Sequence, residues 1–148
     1  IYTYPLAAQV QAAFGDKENA KALSYRAQRT HELLNCLFTD KSQIPVFTDY
    51  IEGTNYLKAV LDGKISDDDI VIMSSLNGAQ LIDSQQSDMT IYIWIILNYS
   101  PDKSYKKKCV LIGGIIPGPN KSSNLESFLF SGFHHLSALQ REGLPIWN

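Results

Sequence analysis

The stretch Ile91-Tyr92-Ile93-Trp94-Ile95-Ile96-Leu97 constrains this chain more than any other. Side chains along an extended backbone alternate between two faces. Ile91, Ile93 and Ile95 therefore share one face, and Tyr92, Trp94 and Ile96 the other. Both faces are apolar, which predicts a strand in the middle of a sheet with cover on both sides. The run is far too short for a membrane helix, which needs roughly 18 apolar residues or more. It predicts a strand over residues 90–99.

Two further strands fit around it. Residues 70–76 form a short β-rich run that ends at Asn77-Gly78, a favoured dipeptide for a two-residue type I′ hairpin turn. Ser100-Pro101-Asp102 makes a second turn. Residues 109–116 give a third strand, stopped by Pro117-Gly118-Pro119. The period then becomes helical. Ser123 with Glu126 reads as a capping box. Leu125, Phe128, Leu129, Phe133, Leu136 and Leu139 supply an apolar stripe, and Gly143 and Pro145 end it.

The first 66 residues read as helical. Leu6, Val10 and Phe14 recur at helical spacing, with Gly15 as a stop. Asp16 is placed to cap a longer helix whose stripe is Ala20, Leu23, Ala27, Thr30, Leu34 and Leu37. Lys21, Arg26, Arg29 and Glu32 fall off that stripe and are expected on a solvated face. Thr54 is placed to cap a short helix through Tyr56, Leu57, Val60 and Leu61, closed by Gly63. The fold class expected is α+β: an N-terminal helical region over 1–66, then a β-β-β-α unit over 67–148. Short connections make an antiparallel meander the natural topology.

Apolar residues make up 45% of the 148 residues and charged residues 19%, a globular composition. A net charge of −2 argues against a strongly basic nucleic-acid module, though not against a local basic patch. The basic cluster is Lys103, Lys106, Lys107 and Lys108, with Lys121. It reads either as phosphate contacts or as lysines that guard a strand edge against aggregation. The two cysteines, Cys36 and Cys109, with no secretory signal, point to a reducing, intracellular setting without disulfides. The chain opens on Ile1 and is expected to be a piece of a longer protein.

Several chemistries lack their residues. In Gly113-Gly114-Ile115-Ile116-Pro117-Gly118-Pro119-Asn120-Lys121 the lysine stands away from the glycine it must follow in a phosphate loop. Pro117 and Pro119 also remove backbone donors. His134, His135, His31 and Cys36 lack the spacing of a zinc site. No Gly-x-Ser-x-Gly elbow is present.

Longer stretches carry a resemblance. "SLNGAQL", "QSDMTIYIWIIL", "YKKKCVLIGGIIPGPNK" and "NLESFLFSGFHHLSALQREGLPIW" resemble the large CACTA (En/Spm-like) DNA transposases of mushroom-forming fungi. "YRAQRT", "DYIEGTNYLKAVLDGKI" and "DDIVIM" fit the same family upstream. The resemblance spans about Pro5 to Trp147 and implies the opening half of an RNase H-like fold with a DDE-type acidic set. It also implies Mg²⁺ or Mn²⁺ in intact members, DNA as partner, a nuclear location, and metal-dependent DNA strand cleavage and transfer.

The family's first acid stands in an Asp-Gly-(Ala/Val/Phe)-Gln pattern at the end of the first strand. Here that position is Asn77, followed by Gly78, Ala79 and Gln80. An amide is a poor ligand for a hard cation, so the expectation is a catalytically inactive fragment. The alternative is a non-enzymatic DNA- or protein-binding module derived from such a transposase. Asp67, Asp68 and Asp69 lie about 20 Å from Asn77 along a strand, too far to replace the lost acid, and Asp83, with Asp88 just beyond the turn, is nearer but on the second arm of the hairpin. Such a sheet continues beside its first strand, so an unpaired edge near Ile70 and Ile72 is expected here.

Overall fold

A computed structural model describes residues 2–40, 47–80, 88–117 and 124–146. The strands are β1 (Tyr2–Thr3), β2 (Ile72–Gln80), β3 (Asp88–Ile96) and β4 (Val110–Pro117). They form one antiparallel sheet in the order β1-β4-β3-β2. The helices are α1 (Leu6–Gly15), α2 (Lys17–Leu23), α3 (Tyr25–Asn35), α4 (Thr54–Leu61), a one-turn α5 (Pro101–Ser104) and α6 (Leu125–Glu142). A turn of π-helix follows α3 at Cys36–Asp40, and a turn of 3₁₀-helix at Tyr50–Glu52 precedes α4. The class is α+β, and β3 lies between β2 and β4 as its two apolar faces require.

The core forms on the Tyr92, Trp94 and Ile96 face of β3. Leu6 and Val10 of α1, Leu23 of α2 and Phe128 of α6 pack against these side chains, so helices from both ends of the sequence share one core with the sheet. Tyr92 meets Trp94 and Phe128 edge-on, with ring centroids 5.7 and 5.1 Å apart. Its ring needs three glycines to fit, Gly113, Gly114 and Gly132. A Cβ on Gly113 would lie 1.9 Å from the ring, and one on Gly132 would lie 2.5 Å from the hydroxyl. A bulge between Tyr92 and Ile93 in the pairing with β4 places Gly113 over the ring. A second apolar cluster, Leu33, Ile51, Tyr56 and Leu57, holds α3, the 3₁₀ turn and α4 together.

The opposite face of β3 departs from the expectation of full cover. Ile95 is buried, but Ile91 and Ile93 are half-buried and their neighbour Ile112 is 40% exposed. The helices of the main core lie on the other face, so the apolar pattern here exceeds the cover among the described residues.

Four local expectations change. Tyr2–Thr3 adds a strand, pairing Tyr2 with Ile115 and Thr3 with Gly114. The long second helix is two helices: Ser24 turns its hydroxyl onto the Lys21 carbonyl at 2.7 Å, which competes with the backbone ladder and parts α2 from α3. Asp16 does cap α2, accepting from the Asn19 N–H at 2.9 Å. Thr54 makes no cap hydrogen bond; the reciprocal capping box belongs to Asp49 and Glu52 one turn earlier. α6 is capped by Asn124, which accepts from the Ser127 N–H at 3.0 Å, and the expected cap Ser123 lies outside the described residues. Gly63 and Gly143 end α4 and α6 with φ of +71° and +76°, a backbone region that favours glycine.

Candidate functional site

Asn77 does not stand in a hairpin turn. The β2–β3 register runs unbroken from Ile72 opposite Ile96 to Gln80 opposite Asp88, which sets Asn77 opposite Ile91 and Gly78 opposite Thr90. Gly78 has no positive φ, as a type I′ turn would demand, and open space surrounds the site of its missing Cβ. Core packing decided this. Seating Tyr92, Trp94 and Ile96 inward fixes the register, and the ladder then continues past the dipeptide. Residues 81–87, which connect the two strands, lie outside the described residues, and with them Asp83.

Asn77 therefore projects from β2 on the less covered face, in one row with Ile91 and Ile115, and is exposed. Among the described residues no three His, Cys, Asp or Glu side chains gather into a group able to hold a metal ion. A neutral amide in a row of isoleucines does not fit the Mg²⁺ or Mn²⁺ that the resemblance implies, since such cations take anionic oxygens.

Two of the three aspartates at the other end of β2, Asp67 and Asp69, serve structure. Asp67 accepts from or pairs with His31, Oδ2 to Nε2 at 2.8 Å, and Asp69 caps the Ser66 N–H at 2.7 Å. Their backbone wraps a guanidinium. Arg26 donates from one terminal nitrogen to the carbonyls of Ser66, Asp67 and Asp69 at 2.7, 2.9 and 2.8 Å, and from the other to the Tyr56 hydroxyl at 3.0 Å. Arg26 is only 1% exposed, so its expected place on a solvated face is wrong. A buried cation without a carboxylate partner is held by oriented dipoles instead. The spacing contained the signal: Arg26 lies three residues after buried Leu23 and four before buried Thr30, on the inner stripe. Asn98 completes the clasp, accepting from Val71 N–H at 2.8 Å and donating to the Asp69 carbonyl at 3.0 Å.

Lys103, Lys106, Lys107 and Lys108 are all exposed, on α5 and the turn that leads into β4. The turn is well defined. The Lys106 carbonyl accepts from Cys109 at 2.7 Å and Val110 at 3.2 Å, and Ser104 and Cys109 are buried beside it. Lys121 lies outside the described residues. The lysines precede residues 110–112, the start of β4 that β1 does not pair, whereas the outer strand β2 carries no charge from Ile72 to Gln80. Gly113 and Gly114 of the phosphate-loop-like stretch lie against the Tyr92 ring. His134 stacks on Phe130 with centroids 5.5 Å apart, and His135 accepts from the Ala7 N–H at 3.5 Å.

A second polar cluster went unread in the sequence. Glu52, 3% exposed, accepts from the Thr48 backbone N–H and hydroxyl and pairs with Arg29 at 3.0 Å. The Thr48 N–H above all, with the Arg29 guanidinium, holds the Glu52 carboxyl below the usual carboxylate range against the opposing push of burial. Burial pushes the neighbouring Asp49 carboxyl up instead.

Comparison of the chain with protein-family models, with curated proteins and with solved structures gives no match. Among the described residues no helix is long and apolar enough to cross a membrane.

Proposed function

We propose that this chain is part of a CACTA-type DNA transposase whose catalytic sheet has lost its first metal-binding acid. The observation that carries the reading is Asn77, exposed near the end of β2 with no carboxylate group gathered about it among the described residues. The β2-β3-β4 meander followed by α6 across the sheet supports the parent fold, and the phrase resemblance supplies the family. In this reading the chain contributes structure to a nucleic-acid enzyme and no strand cleavage of its own.

The test is a nicking assay on supercoiled DNA with Mg²⁺ and with Mn²⁺. No metal-dependent nicking is expected. Reproducible nicking that Asp83→Ala abolishes would overturn the inactive-site reading. The genomic sequence flanking the encoded segment tests the family. A downstream strand bearing Asp and a helix bearing Asp or Glu are expected.

The exposed lysines favour a second reading, a non-enzymatic module that binds DNA. Each neutralised phosphate adds close to one unit to the salt slope of binding. Replacing Lys106, Lys107 and Lys108 by alanine would then lower that slope by about 3. An unchanged affinity and slope would remove this reading.

A further inference from the structure

The lysines of α5 and its following turn border a cleft. Met73 lies four residues before Asn77 and so on the same, less covered face of β2, opposite Ile95. Beside it opens a cavity of about 380 Å³, lined by Asp49, Tyr50, Pro101, Phe47 and Tyr105. Phe47 and Tyr105 are 67% and 62% exposed. Sites for small organic molecules begin at about 300 Å³, so the space suits one flat ring system and little more.

Both walls are fixed from behind. On one side, buried Glu52 accepts from the Thr48 and Asp49 N–H groups, and the Tyr50 N–H donates to Asp49 Oδ1 at 2.7 Å. The Tyr50 ring stands edge-on to Tyr56, centroids 5.2 Å apart, and its hydroxyl donates to the Leu97 carbonyl at 2.8 Å. On the other side, buried Ser104 donates to the carbonyls of Tyr99 and Ser100 at 3.0 and 3.1 Å, which pins α5 just before Tyr105.

The rim combines two chemistries. Neither Phe47 nor Tyr105 meets another ring among the described residues, so each leaves its face open to stacking. Lys103 stands two residues before Tyr105, and Lys106, Lys107 and Lys108 follow it directly, all exposed. The Lys106 Cα is about 3.8 Å from that of Tyr105. Rings stack on bases and cations hold phosphates. The Asp49 carboxylate sorts the two: it repels a phosphate from the cleft and can accept N–H groups from a base edge. A cationic side chain would also suit rings and a carboxylate, but four lysines beside the cleft oppose it.

We propose that this cleft seats an unpaired base of single-stranded DNA, with the flanking phosphates on Lys103, Lys106, Lys107 and Lys108. The proposal rests on the DNA-binding reading of the lysines and adds a preference for single strands. In a duplex the base faces are covered by their neighbours, so duplex DNA reaches the lysines and not the cleft. The site uses the face of β2 at Met73 and leaves its edge free for a further strand.

Fluorescence anisotropy across a salt series tests it, with the whole chain, a labelled strand of about 12 nucleotides and the matching duplex. Tyr105→Leu is expected to weaken single-strand binding at least about fivefold, the lower end for one stacked base, and to leave duplex binding unchanged. Tyr105→Phe keeps the ring and should bind as the parent does. Phe47→Leu, at a second exposed position, should show the same selective loss. Replacing Lys106, Lys107 and Lys108 by alanine should lower the salt slope by about 2 on the strand and about 3 on the duplex. A lowered slope in that variant with unchanged single-strand affinity in Tyr105→Leu and Phe47→Leu would overturn the cleft alone. An unchanged slope on both nucleic acids would remove the DNA-binding reading and the cleft with it. Equal losses on strand and duplex, or tighter binding of an RNA strand of the same sequence, would also overturn the proposal.

Discussion

The two ends of β2 carry residues of opposite promise and opposite use. At its entry stand three consecutive aspartates that look like chemistry, and two of them are spent on architecture. Asp67 meets His31, Asp69 caps a turn, and their carbonyls clasp the buried Arg26. At its exit, Asn77 stands where the resemblance expects a catalytic acid, exposed and in a row with isoleucines. One end is tied to α3 and to the 3₁₀–α4 cluster through Tyr56; among the described residues the other is held by the strand ladder. An acid-rich sequence end is therefore no guide to where a metal sits. Partners decide what a carboxylate does.

That contrast yields graded predictions. Arg26→Ala should have the largest effect, about 3 kcal/mol of lost stability in urea unfolding, because it empties a buried site and removes four hydrogen bonds from a charged donor. A loss below about 1 kcal/mol would mean that the entry end is not clasped as described.

Glu52→Gln comes next, at about 1–2 kcal/mol near neutral pH, from weakened charge-assisted hydrogen bonds in a buried site. The sign of its pH dependence is fixed. Glu52 has a lowered folded pKa, so its contribution is full above the ordinary glutamate range and is lost as pH falls through the folded value. The parent should lose more stability than Glu52→Gln between pH 5 and 3, the region of about one unit either side of ordinary carboxylate titration. Parallel acid unfolding curves would refute this.

Asp69→Ala should cost about 1 kcal/mol, the scale of a lost cap. Asn77→Asp should be the smallest, within about 0.5 kcal/mol of the parent, as for an exposed position with no side-chain partner among the described residues. It should also gain no metal-dependent nicking, because one restored acid still lacks a gathered ligand set among the described residues. A destabilisation of Asn77→Asp equal to that of Arg26→Ala would erase the difference between the two ends.

What the sequence revealed depended on the range of the interaction. β3 was legible as a central strand, since burial on its inner face demands Tyr92, Trp94 and Ile96 at alternate positions. α1 and the end of α6 were legible for a similar reason: spacing and terminal glycines are local. The Asn77-Gly78 turn was misread because a dipeptide preference of local origin lost to register set by distant core residues. β1 left no trace in the pattern, for two residues have no period. Charge alone places Arg26 on the surface, although its spacing from Leu23 and Thr30 points inward. Of the candidate site, the identity of Asn77 and the exposure of the four described lysines could be read. The mutual positions of these groups are products of the fold.

On the β4 side of the sheet, the Gln9 amide donates to the Ile112 carbonyl at 2.9 Å and accepts its N–H at 3.2 Å. A sheet with one receptive edge can be lengthened once and then stops, as a monofunctional monomer ends a polymer. By holding both backbone groups of Ile112, Gln9 helps keep β4 from becoming a second receptive edge. Release of α1 would make the molecule bifunctional. The Gln9 amide, with β1, thus acts as a side-chain stopper on that side of the sheet.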